Sequence, residues 1–166
     1  MFWSKSQLQG EVVKPVYFNL KEVSVNILNL FENVIREKEI QVENTIQLTC
    51  KVYADKDMIQ LVFRNLISNA VKFSRPGGLI TLSTTIEGNN TILYIEDNGV
   101  GISEANQKKL FELETFTTKG TNNEQGTGLG LLLCKDFIEK NKGAIWVESE
   151  LDKGSKFCIQ IPNTNW

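Results

Sequence analysis

The chain has 166 residues, 18 Lys and Arg against 20 Asp and Glu, three cysteines and no histidine. This length suits one domain with its own core, and 41% hydrophobic with 23% charged residues exclude disordered, collagen-like and disulfide-scaffold classes. A net charge of −2 removes the bulk electrostatic case for nucleic acid, and the missing histidine removes Ser-His-Asp and Cys-His nucleophiles, His general bases and the common zinc sites.

Residues 1–14 read as a polar leader ended by Gly10 and Pro15. Val16-Tyr17-Phe18 is a short strand, with Asn19 as a cap. From Leu20 to Glu37, Val23, Ile27, Leu30 and Val34 recur at helical spacing, flanked by Leu20, Phe31 and Ile35. Residues 40–43 and 48–53 alternate as strands. Asp55 caps a second helix to Phe73, stopped by Ser74-Arg75-Pro76-Gly77-Gly78. Strands 79–87 and 91–96 flank Gly88-Asn89-Asn90, a hairpin signal. Ser103 caps a short helix, and residues 112–127 are polar, Gly- and Thr-rich. A helix from about Leu129 to Lys140 stops at Asn141-Lys142-Gly143, and strands 144–150 and 156–161 close the chain. Hairpin-paired strands with interspersed helices predict an α+β two-layer sandwich, its mixed, mostly antiparallel sheet covered on one face by helices.

Cys50, Cys134 and Cys158 lie in apolar or strand-like contexts without a CxxC pair, and read as small buried hydrophobes in a reducing compartment. No apolar run approaches membrane-spanning length, and Met1–Gln7 lacks a signal-peptide core. A cytoplasmic chain is expected.

Three segments carry candidate chemistry. On the second helix, Ile59, Val62, Phe63, Leu66, Ala70 and Phe73 share a core face, and Asn65, Asn69 and Lys72 form a polar stripe beside it. Amide oxygens can complete a Mg²⁺ shell beside phosphate oxygens, and lysine can neutralise phosphate; a solvated polar face has the same pattern. Asp97-Asn98-Gly99-Val100-Gly101 follows a strand. A capped helix comes next instead of a return strand, so the pair of glycines suggests close approach to a ligand as readily as a turn. A buried aspartate there can accept hydrogen bonds from an exocyclic amine such as that of adenine. Gly126-Thr127-Gly128-Leu129-Gly130 opens a helix, exposing N–H groups that suit phosphate; a ligand-free hinge is the other reading. It is neither a P-loop nor the dinucleotide fingerprint, which would need glycine where Leu131 stands.

In this order and spacing, the sequence resembles the ATP-binding catalytic domain of sensor histidine kinases, within the GHKL superfamily. Residues 65–73 resemble its N box, Asp97–Gly101 its G1 box and Gly126–Gly130 its G2 box. Phe111 and Phe116 fall where an F box is expected, spaced more widely than usual, and Gly154-Ser155-Lys156-Phe157 resembles the closing Gly-Ser-x-Phe strand. The resemblance runs from about Pro15 to Pro162. It implies a GHKL ATP-binding fold over residues 15–166, preceded in 1–14 by the remnant of a dimerisation and phosphoacceptor helix or linker.

The resemblance also assigns roles. Asn69 would hold Mg²⁺ bridging the ATP phosphates with Asn65 nearby, Lys72 would contact phosphate, and Phe73 would lie beside the nucleotide. Asp97 would bind the adenine amine, with Gly99 and Gly101 admitting the base and Ser155 assisting through water. Gly126, Thr127, Gly128, Leu129 and Gly130 would cradle phosphates under a lid of residues 103–127, in which Lys119 is a candidate γ-phosphate cation or a solvated lysine. Hydrolytic relatives carry Glu where Asn65 stands, so the resemblance favours a protein-histidine kinase domain over a self-sufficient ATPase. The chain would then be incomplete by itself: the acceptor histidine lies on the dimerisation domain of a parent that could be membrane-anchored, and a response regulator receives the phosphoryl group. No contact with nucleic acid or membrane is expected of this chain, and a monomer is. The alternative is a non-catalytic nucleotide-binding or docking module.

Overall fold

The computed structural model describes residues 12–111 and 130–166. Strand β1 (Pro15–Asn19) pairs antiparallel with β3 (Lys51–Asp55) as a two-stranded sheet, with Phe18 opposite Val52. A five-stranded sheet has the order β2 (Gln41–Asn44), β4 (Leu79–Glu87), β5 (Asn90–Asp97), β7 (Gly154–Pro162), β6 (Ala144–Glu150). Among the described residues, only the β2–β4 pair of this sheet is parallel. Parallel neighbours need a crossover connection, and here β3 and the long helix α3 (Lys56–Phe73) supply it. Helix α3 packs against α1 (Leu20–Leu30), α5 (Gly130–Lys140) and β5. Ile80, Leu82, Leu93, Ile95, Phe157, Ile159 and Ile161 are buried beneath the helices. The expected fold class, a mostly antiparallel sheet with helices on one face, is what the structure has.

The expected helix over 20–37 is instead two helices, α1 and the six-residue α2 (Glu32–Glu37). Phe31, at φ −105° and ψ 9°, leaves helical geometry, and its N–H bonds Leu28 O at 3.1 Å. The break re-aims the apolar stripe. Leu20, Val23 and Ile27 are buried and Phe31 and Ile35 pack against the core, whereas Leu30 is exposed. The strand expected over 48–53 begins three residues later, because Leu48 lies in a turn and Cys50 N–H bonds Gln47 O. Of the leader, residues 1–11 lie outside the described residues; Lys14 N–H donates to Asp55 Oδ2 at 3.0 Å.

Both ends of α3 are fixed by side chains. Asp55 caps its N-terminus, Oδ1 accepting from the N–H groups of Asp57 and Met58. The Asp55 N–H in turn donates to Asn141 Oδ1 at 2.7 Å, while Asn141 Nδ2 donates to Phe137 O at 2.7 Å. Asn141 thus joins the C-terminus of α5 to the start of α3, 1% exposed. At the other end Lys38, 4% exposed, donates its ammonium to Val71 O at 2.9 Å and Lys72 O at 3.1 Å. A cation on the last carbonyls satisfies orphan acceptors and complements the negative end of the helix dipole.

The three cysteines are free and buried, as expected. Burial pushes the Cys158 thiol up to about 11 and the Cys134 thiol to about 12. Among the described residues, no helix is long and apolar enough to cross a membrane.

Replacing Asn141 by alanine leaves the Asp55 N–H without its buried partner and removes the side-chain bond to Phe137 O, which keeps the Asn141 backbone N–H. Asn141→Ala is therefore expected to lower stability by about 1–3 kcal/mol, read as an earlier urea midpoint with an unchanged slope.

Candidate functional site

Strand β5 ends at Asp97, flanked in the sheet by Ile80 of β4 and Ser155 of β7. The chain then runs between the end of α3 and the β6–β7 turn. Val100 N–H bonds Phe73 O at 3.1 Å, and Asp152 N–H bonds Val100 O at 2.8 Å. There is no room for side chains at the two glycines. A Cβ on Gly99 would lie 2.1 Å from Phe73 O, and one on Gly101, at φ +70°, would lie 2.0 Å from Glu150 O. Both glycines are thus required first by the protein's own backbone, a reason the sequence alone did not supply.

Beside this crossing lies a cavity of about 180 Å³. Asn69, Asp97, Ser103, Asn106 and Ser155 bring polar groups to it, and Phe73, Ile102, Leu110, Leu131 and Phe157 supply apolar wall. Mixed walls of this kind suit a flat apolar ring with polar edges. Asp97 is 5% exposed. Its Oδ1 accepts the Gly99 N–H at 2.9 Å, and the Ser155 backbone N–H also bonds the carboxylate. Burial nonetheless pushes its carboxyl up to about 6, outweighing those two N–H groups, with a small upward push from Glu96.

Of the expected site residues, Asn69, Phe73, Asp97, Gly101 and Ser155 line this cavity, and Gly99 backs it. Asn65 and Lys72 do not line it. Asn65 faces α5: a Cβ on Gly130 would come within 3.5 Å of its amide, and its side chain hydrogen-bonds the Cys134 thiol. Lys72 is 9% exposed, with its ammonium 4.8 Å from the Phe73 ring centre. Phe111, an F-box candidate, is half-buried against the core. Phe116, Lys119, Gly126, Thr127, Gly128 and Leu129 lie outside the described residues, as does most of the expected lid.

Several contributors were missed from sequence. Ile102, Leu110 and Leu131 read as ordinary apolar residues. Gln107 Nε2 donates to Ile102 O at 2.7 Å and to Ser149 O at 2.9 Å, tying the short helix α4 (Glu104–Gln107) to β6. Ser149 could have been found: along β6 it follows Ile145 and Val147 on the core-facing side, a polar residue where the alternation calls for an apolar one. Lys38 gave no such signal.

Among the described residues, no three His, Cys, Asp or Glu side chains are grouped to hold a metal. Asn69, whose side chain carries an amide oxygen, lines the cavity. That donor set fits a hard cation whose remaining ligands are phosphate oxygens and water, the usual situation of Mg²⁺.

Residues 54–165 match the family described as histidine kinase-, DNA gyrase B-, and HSP90-like ATPase. The circadian input-output histidine kinase CikA of Synechococcus elongatus is 36% identical over 154 residues, which is 90% of this chain and 20% of that protein. The nucleotide-free catalytic domain of histidine kinase ThkA superposes with a TM-score of 0.80 at 31% identity, covering 91% of this chain and 97% of that one. ThkA in complex with the response regulator protein TrrA superposes at 0.78 with 27% identity, over 96% of this chain and 45% of that one. The chain thus spans about a fifth of the length of CikA.

The raised carboxyl has a stability signature. Asp97 moves from 3.8 to about 6 on folding, so between those values the folded chain holds a proton that the unfolded chain has lost. Its contribution is full below 3.8 and is lost as pH rises through about 6. Against Asp97→Asn, the wild type should therefore lose about 2–3 kcal/mol of relative stability over that interval, measured by urea denaturation at successive pH values. A difference independent of pH would show that Asp97 titrates normally.

Proposed function

From the premise that the chain belongs to the histidine kinase-, DNA gyrase B-, and HSP90-like ATPase family, we propose that it is the Mg-ATP-binding catalytic domain of a two-component sensor histidine kinase. It presents the γ-phosphoryl group to a histidine on a dimerisation and phosphoacceptor domain of the parent protein, from which a response regulator receives it. The observation that carries this reading is Asp97: a carboxylate 5% exposed, at a strand end, opening on a cavity with apolar walls. Such a group is expensive to ionise. An adenine amine donating to it would relieve that penalty, and the base would lie against Phe73, Ile102 and Leu131.

Phosphates would extend from this cavity past Asn69 toward the Gly130 end of α5, and a glycine-rich sequence opening a helix suits anions. Asn69 would contribute one oxygen to Mg²⁺, and Mg²⁺ when bound neutralises phosphate charge. Transfer through a loose transition state needs mainly alignment and charge neutralisation, so no base from this chain is required. The placement of Asn65 supports kinase over hydrolase. It is an amide, unable to take a proton from water, and it packs against Gly130 and Cys134. The likeness of relatives named as histidine kinases supports the same reading, as does that of a kinase solved with its response regulator. The acceptor must come from elsewhere, because the sequence holds no histidine.

Titration calorimetry with Mg-ATP should show one site per chain, weakened at least tenfold in Asp97→Asn by the lost charge-assisted hydrogen bond. Incubation with γ-labelled ATP should label a histidine-bearing phosphoacceptor domain added in trans and leave the chain itself unlabelled. Binding without any transfer would favour the non-catalytic module, and steady phosphate release a self-sufficient ATPase.

A further inference from the structure

We propose that Ser149, which does not line the cavity, sets its chemical preference by fixing the hydroxyl hydrogen of Ser155. The inference rests on the adenine reading of the Asp97 cavity and specifies what that site selects.

Ser149 lies directly opposite Ser155 in the β6–β7 ladder. Its hydroxyl oxygen makes three contacts: the Ile102 N–H at 2.8 Å, Gly154 O at 2.7 Å and Ser155 Oγ at 2.9 Å. A hydroxyl has one hydrogen and two lone pairs. A carbonyl oxygen can only accept, so the Ser149 hydrogen is committed to Gly154. An amide N–H can only donate, so Ile102 occupies one lone pair. The contact with Ser155 must then be made by the Ser155 hydrogen, donated to the second lone pair of Ser149. Every bonding position of Ser149 is filled. Ser155 lines the cavity and keeps no hydrogen for it, so its hydroxyl can offer only lone pairs there.

Asp97 pairs with Ser155 across β5 and β7 and also lines the cavity. Ionised, it too can only accept. Together Asp97 and Ser155 form an edge of acceptors. A 6-aminopurine, or a water held on its amine, meets that edge with hydrogens; a 6-oxopurine meets it with another acceptor. Gln107 holds the arrangement by donating to both Ile102 O and Ser149 O, which keeps the Ile102 amide over Ser149. Ser149 is a positioning residue here. With Ser149 reduced to alanine, Ser155 recovers a hydrogen that can swing into the cavity and bond a 6-oxo group.

The test compares equilibrium binding of ATP and inosine triphosphate, each with Mg²⁺, to the whole chain. The wild type should prefer ATP. In Ser149→Ala that preference should fall about five- to tenfold, the value of one hydrogen bond, with inosine triphosphate gaining. Ser149→Thr, which keeps the hydroxyl, should retain the wild-type ratio. Parallel weakening of both nucleotides in Ser149→Ala, with the ratio unchanged, would overturn the proposal and leave Ser149 a purely structural role. Should Ser149→Ala not fold, Ser155→Ala serves: removing the fixed acceptor should favour inosine triphosphate relative to ATP, and equal losses would overturn the inference. An unchanged ratio in Ser149→Ala contradicts this inference alone. A wild type that binds both nucleotides equally, or neither, contradicts the contact between the 6-amine and Asp97 and with it the adenine reading beneath the inference.

Discussion

The structure depends on a crossing of backbones at near-contact distance. The segment after β5 passes between Phe73 O at the end of α3 and Glu150 O at the end of β6, and only hydrogen atoms fit in the gaps at Gly99 and Gly101. Gly154 closes the same crossing from the other side, where a Cβ would meet Asp97 O at 2.0 Å. Close packing of main chain on main chain leaves few ways to relax, and the hydrogen bonds of Val100 and Asp152 lock the register. The helix, the sheet end and the β6–β7 hairpin therefore hold fixed positions relative to one another. Those three elements supply Asn69, Phe73, Asp97, Leu151, Ser155 and Phe157 to the cavity wall, and the crossing segment, the residues after it and α5 supply the rest.

Rigidity of this kind makes a buried, ionised Asp97 tolerable. Its carboxylate is held by two backbone N–H groups that cannot move away, yet these do not fully replace water, and the carboxyl remains raised. On the proposed reading, a donor meeting this carboxylate would relieve its burial penalty, so part of the binding free energy would be built into the fold beforehand. The fixed ends of α3 serve the same purpose at longer range. Asp55 and Asn141 anchor its start, Lys38 anchors its finish, and Asn69 and Phe73 on its last turns reach the cavity from a helix that cannot slide.

Much of this was legible in the sequence because periodicity and punctuation are local. The cap at Asp55, the stop after Phe73, the Gly88–Asn89 hairpin and the alternating strands all follow from residue type and spacing. Asp97 was legible as well, as a carboxylate between a strand and a pair of glycines. What sequence did not disclose is which partner each residue meets across space. Gly99 and Gly101 read as a turn or as clearance for a ligand, and nothing local showed that a Cβ at either would strike a carbonyl, of Phe73 or of Glu150. Lys72 read as part of a polar stripe, but the end of α3 turns it into the interior at 9% exposure. The break at Phe31 escaped notice because Leu30 and Val34 continue a helical period that tertiary packing does not use. Ser149 left a legible mark only as a polar residue out of place; its three partners come from three separate segments of chain.

The buried thiols have a practical consequence. Cys50, Cys134 and Cys158 are all enclosed, and burial raises each thiol, so thiolate, the species that reacts with maleimides, is scarce at neutral pH. The native sequence can therefore be labelled as though it were cysteine-free. A single cysteine introduced at Ser103 or Asn106, beside the cavity, would take a fluorophore selectively without prior removal of the natural three. The chain would thus serve as a scaffold for an optical sensor of whatever enters the cavity.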